Sequence, residues 1–136
     1  MFLKEFKNDE IRKNLIKLAA ALSDDLEITN YYIAEINLEC DEGFNSEFNE
    51  ILSLKNNEEE LKEAVLKLLD GADFKFYLEF LMIVSLNPNK FTNEIKKELE
   101  EKLNLSENLI SLSNNWAINT ASHINNAIKI IDSVNQ

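Results

Sequence analysis

The sequence predicts a mainly α protein: one compact domain over residues 1–136, with about six or seven helices in a bundle or an irregular stack of helical hairpins. Three observations predict it. Apolar residues recur at three- and four-residue spacing in one segment after another. Residues that cap or stop helices stand where those segments begin and end. Two glycines and one proline in 136 residues leave little turn chemistry for a many-stranded sheet. Apolar residues make up 45% of the chain, enough for a core despite the heavy charge.

The first helix follows from Ile11, Leu15, Leu18 and Leu22, with Asn8 as its cap and Asp24-Asp25 closing it. Over residues 32–40 two periods compete. Tyr32, Ala34, Ile36, Leu38 and Cys40 alternate as in a strand, whereas Ile33, Ile36 and Cys40 make a short helical stripe that Thr29 can cap. Gly43 suits the position after a helix end, and Phe44, Phe48, Ile51 and Leu52 restore helical spacing. The clearest helix runs over 57–70. Asn57 caps it, Glu60 stands three residues on as in a capping box, and Leu61, Val65, Leu68 and Leu69 face inward until Gly71.

Asp73 caps the next segment, which is apolar on nearly every side and so reads as a central buried helix ending at Asn87-Pro88. Phe74, Phe76, Leu78, Phe80 and Met82 also alternate. The alternative fold is therefore α+β, with strands near 32–40 and 74–84. Thr92 begins an amphipathic helix with Ile95, Leu99 and Leu103 inward. Its outer face carries Lys96/Glu100, Lys97/Glu101 and Glu98/Lys102 at four-residue spacing, a solvated surface.

The last helix spans 106–134 and is different in character. Between Asn108 and Gln136 its only charges are Lys129 and Asp132. Ala117, Ala121, Ile124, Ile128 and Ile131 form a stripe that Trp116, Thr120, Ala127, Ile130 and Val134 widen. So uncharged a surface predicts burial, against the core or at a homodimer interface through this helix. The run Leu22-Ser23-Asp24-Asp25-Leu26-Glu27-Ile28 through Tyr31-Tyr32-Ile33-Ala34 resembles the inter-helix turn of a HEAT repeat, over about a tenth of the chain and with no second copy.

Catalytic chemistry is missing its parts. One His and one Cys cannot assemble a zinc cage or an HExxH helix, and two glycines cannot hide a phosphate-binding loop. A calcium loop from Asp41 fails because Gly43 and Leu52 occupy ligand positions. Nothing places His123 beside Cys40 as base and nucleophile. Trp116 and the aromatic 74–80 segment read as core. The expectation is a binding protein, not an enzyme, with no cofactor and no metal.

A net charge of −11, from 25 acids against 14 bases, disfavours nucleic acid and anionic membranes as partners. A single cysteine, no signal-like start and no spanning segment predict a cytoplasmic protein. The charge is also concentrated. Residues 35–63 hold ten acids against Lys55 and Lys62, which leaves −8 of the total −11 in 29 residues.

Helix-dipole and local pairing explain Glu58 to Glu60 and Glu63, the last opposite Lys67. They do not explain Asp41, Glu42, Glu47 and Glu50. The predicted docking residues are Glu39, Asp41, Glu42, Glu47, Glu50, Glu58 and Glu59, and the predicted partner is a basic protein. Small size, acidity and absent catalytic motifs resemble the immunity proteins of bacterial toxin systems. That resemblance implies an inhibitor that covers the active site of a basic toxin or nuclease. The alternative is a secretion chaperone or adaptor acting as a dimer, which would carry the two strands.

Overall fold

The computed structural model describes residues 9–22, 49–51, 53–86 and 91–135. All regular structure among them is helical, with no strand. Five helices follow one another, α1 (Asp9–Ala21), α2 (Glu58–Leu68), α3 (Phe74–Leu86), α4 (Thr92–Lys102) and α5 (Glu107–Val134). Residues 49–51 and 53 are helical as well. The mainly α expectation holds. The strand alternative at 74–84 does not, since those residues lie within α3. The 32–40 alternative, Asn8, Asp24-Asp25, Gly43, Asn87-Pro88 and the HEAT-like run beyond Leu22 lie outside the described residues.

Capping explains where the helices start. The Glu60 N–H donates to Asn57 Oδ1 at 3.2 Å, the Phe76 N–H to Asp73 Oδ1 at 2.9 Å, and the Leu109 N–H to Ser106 Oγ at 3.2 Å. The capping box before α2 is only half made, because the Asn57 N–H donates to the Leu54 carbonyl at 3.0 Å. Gly71 follows α2 with φ +77, a left-handed conformation that glycine adopts without steric cost. Asn104, at φ 51, performs the corresponding service after α4. The Asn104 N–H donates to the Glu101 carbonyl and the Leu105 N–H to the Glu100 carbonyl, each at 3.1 Å. These two bonds make a Schellman motif.

Helix α3 is the hub. It packs against α1 and α4 and most extensively against α5, while α1 also packs against α2. Phe76, Tyr77, Phe80, Leu81 and Met82 are buried on several sides of the helix, which leaves no strand-like solvent face. Alternation across 74–82 arises only because nearly every position is apolar. Leu15, Leu18 and Leu22 meet this core from α1, Leu61, Val65 and Leu68 from α2, and Ile95 and Leu99 from α4. Glu79, also fully buried on α3, is partnered there.

Two corrections concern the surface. Within one copy of the chain the core does not bury most of helix α5, and the homodimer alternative lies outside what a single chain shows. It inserts a narrow stripe of small residues, Ser113, Ala117 and Ala121, while Trp116 and Ile124 pack partly against the core. Leu112, Ile130 and Val134 are 58%, 66% and 77% exposed. Nor is the outer face of α4 simply solvated. The Tyr77 hydroxyl donates to Glu100 Oε2 at 2.8 Å, and Lys102 Nζ donates to the Leu69 carbonyl at 2.9 Å. Burial, then the hydrogen bond and charge of Glu100, push the Tyr77 hydroxyl well above the usual tyrosine range. An opposing hydrogen bond from the Asn114 side chain only partly offsets this.

Candidate partner-binding site

Helix α2 turns Leu61, Val65 and Leu68 inward, so its other residues face outward at helical spacing. Glu60, Glu63, Ala64 and Lys67 on that outward side border a cleft of about 430 Å³. The residues preceding α2 close a second wall with Glu50, Ile51 and Leu54, and α1 contributes Lys17. Local bonds shape this wall. The Leu54 N–H donates to the Ile51 carbonyl at 3.1 Å, and Ser53 Oγ donates to the Glu50 carbonyl at 2.6 Å.

The cleft has two chemistries. Its floor is apolar, made by Ile51, Leu54, Ala64 and Leu68, of which Ile51 and Leu68 are buried. Its rim is charged, with Glu50, Glu60 and Glu63 against Lys17 and Lys67. Glu58 and Glu59 stand exposed in the first turn of α2 and do not line the cleft. Along the cleft itself three carboxylates face two ammonium groups, a net −1. The first-turn acids also interact favourably with the positive end of the α2 dipole, which fixes them at this surface.

Lys62 does not neutralise the group. Its Nζ lies 2.6 Å from Glu94 Oε2 on α4, and the hydrogen bond and charge of Glu94 raise its pKa. This pair ties the middle of α2 to the first turn of α4, and the Lys102 bond to the Leu69 carbonyl ties the end of α4 to the residue after α2. One of the two bases of the acidic segment is committed to holding α4.

No family model, curated protein or solved structure matches this chain.

Of the predicted docking residues, Glu50 borders the cleft, and Glu58 and Glu59 are exposed on the helix that forms it. Glu39, Asp41, Glu42 and Glu47 lie outside the described residues. Sequence reasoning missed Lys17 and the apolar floor, and although Glu60 and Glu63 fall in the acidic 35–63 segment it explained them by capping and local pairing and did not name them as docking residues. Ile51 and Leu54, three residues apart and followed by the α2 cap, were the available signal. Lys17 gave none, because only the packing of α1 on α2 brings it here.

No group of three or more His, Cys, Asp or Glu residues among the described residues could hold a metal ion. No helix among them is long and apolar enough to cross a membrane. His123 is exposed on α5, and Cys40 lies outside the described residues. Phe76, Tyr77 and Phe80 are core residues. Chemically, the cleft can hold a side chain that has an aliphatic stem and a cationic head.

Proposed function

We propose that this protein is an immunity-type inhibitor that neutralises a basic toxin or nuclease in the cytoplasm by covering its active site. The observation that carries this reading is the cleft with an apolar floor and a carboxylate-rich rim, on the helix that bears Glu58 and Glu59. Lys and Arg combine an apolar stem with a charged head. Ile51, Leu54, Ala64 and Leu68 would take the stem, and Glu50, Glu60 and Glu63 the head. Nucleases hold phosphates in basic clefts, so an inhibitor needs acids at the rim and no chemistry of its own. On this reading the protein is not an enzyme.

The test is titration of this protein against purified basic nuclease and toxin domains. The wild type should inhibit one of them stoichiometrically. Glu60→Lys with Glu63→Lys should slow association by about tenfold or more, since steering of this kind contributes roughly 10–10³-fold. Glu98→Lys with Glu101→Lys, on exposed positions of α4, is the charge-matched control. Equal losses from both pairs would reduce the effect to net charge, and undiminished inhibition by the cleft variant would remove the cleft from the interface.

The exposed apolar residues of α5 favour a second reading, an adaptor or secretion chaperone that works as a dimer. It no longer has a strand at 74–84 to support it. A dimer that leaves every basic toxin tested fully active would favour it.

A further inference from the structure

We infer that the cleft on α1 and α2 recognises two opposite charges on its partner, a base with an acid beside it, and that Lys17 and Lys67 select for the acid. This pairing rests on the inhibitor reading and gives a role to the part of the cleft which that reading leaves unused.

The unused part is the two lysines. The rim sets Glu50, Glu60 and Glu63 around the same cleft as Lys17 and Lys67. Among the described residues, no ion pair and no side-chain hydrogen bond engages any of the five, and Glu50 and Glu60 bond only through their backbone. Glu63 and Lys67 stand four residues apart on α2, the spacing of a helical ion pair, and yet do not form one. Lys62, on the same helix, closes on Glu94. Lys17 is half-buried, so it lies partly out of water with no carboxylate paired to it.

A cation alone does not complete such a rim. An arginine or lysine head drawn to the glutamates would meet two ammonium groups in the same cleft, and like charges set together across an interface weaken binding. A carboxylate beside that head removes the conflict. The base takes the glutamates, the acid takes the lysines, and both signs of the rim are met.

Spacing along α2 fits this division. Glu60, Glu63, Ala64 and Lys67 follow at three- and four-residue steps along one side of the helix. At a rise of 1.5 Å per residue, Lys67 lies about 6 Å beyond Glu63 along the axis. A base and an acid four residues apart on a partner helix have the same axial separation, about 6 Å. The base then faces the Glu60–Glu63 end of the cleft and the acid faces the Lys67 end.

The gain is specificity. A rim of glutamates alone would draw any basic surface. Two lysines set among them turn away surfaces that carry bases only, which is discrimination by repulsion.

The test is isothermal titration against a basic domain that the wild type inhibits. Lys17→Met with Lys67→Met keeps the apolar stems and removes both ammonium groups, taking the net charge from −11 to −13. Steering by net charge predicts tighter binding to a basic domain. Recognition of a charge pair predicts the opposite, a loss of about tenfold or more, with helical circular dichroism unchanged. Lys67→Met alone, at an exposed position, should lose affinity in the same direction if the double change disturbs the packing of α1. Lys67→Glu should bind poorly and regain affinity when one interface carboxylate of the partner, found by replacing each in turn, is changed to lysine. Equal or tighter binding by the methionine variants, with binding still lost in Glu60→Lys with Glu63→Lys, overturns the charge pair and leaves the inhibitor reading standing. A loss that no change in the partner restores also overturns it. If the wild type inhibits no basic domain, both readings fall together.

Discussion

Asn104 shows how much a single side chain decides. Its φ of 51 is strained for any residue with a Cβ, and Asn tolerates it better than most. Asn104→Gly should keep the stop after α4 and raise stability by up to about 1 kcal/mol, whereas Asn104→Ala should lower it by about 1 kcal/mol. Chemical denaturation of the two variants side by side measures both. Tyr77 supplies the pH-dependent counterpart. Its folded-state pKa is raised, so the folded protein keeps a proton that the unfolded chain gives up. Stability should be insensitive to Tyr77 below the ordinary tyrosine pKa of about 10 and fall as pH rises through it. Tyr77→Phe should flatten that alkaline loss. At neutral pH it should cost about 1–2 kcal/mol, because half-buried Glu100 loses its donor. Urea melts of wild type and variant across pH 7 to about 11 would show the difference.

At the scale of the element, the caps and inward faces were legible and the outward commitments were not. Asn57, Asp73 and Ser106 cap the helices that follow them, and Leu61, Val65, Ile95 and Leu99 face inward as their spacing requires. Periodicity failed on α3 in a specific way. Where almost every residue is apolar, periods of 2 and 3.6 fit equally well, and only the Asp73 cap and the 13-residue length favour a helix. On α5 the sequence marked an uncharged helix and named the line through Ala117, Ala121 and Ile124 that the core takes, but not that Ile131 at its end would stand exposed. The core took the small residues, which allow α3 to approach closely. Ala117→Leu should therefore overpack the α3–α5 contact and cost about 1–3 kcal/mol. Ile124→Ala, at a half-buried position, should cost less than the roughly 2–5 kcal/mol of a fully buried isoleucine. A thermal melt in which the ordering of the two reverses would contradict this account of the packing.

For the whole molecule, charge and topology do separate jobs. The acidic excess was visible from composition, but the cleft was not, since Lys17 and Ile51 line it together only through the packing of α1 on α2. If that cleft steers a basic partner, raising salt from about 0.1 to 1 M shortens the screening length from about 10 to 3 Å and should slow association without unfolding the protein. Stopped-flow association against a salt series, beside circular dichroism in the same buffers, checks both halves. Topology has a consequence of its own, in time. The most apolar helix, α3, lies mid-chain and finds its largest partner in α5. After Leu86 another 48 residues must be made before α5 reaches Val134. At about 5–20 residues per second that is roughly 2–10 s of synthesis. Throughout it the side of α3 that packs on α5 lacks its cover. A nascent chain in that state is a substrate for chaperones that hold apolar segments, so cellular yield should depend on how fast the ribosome delivers residues 107–134.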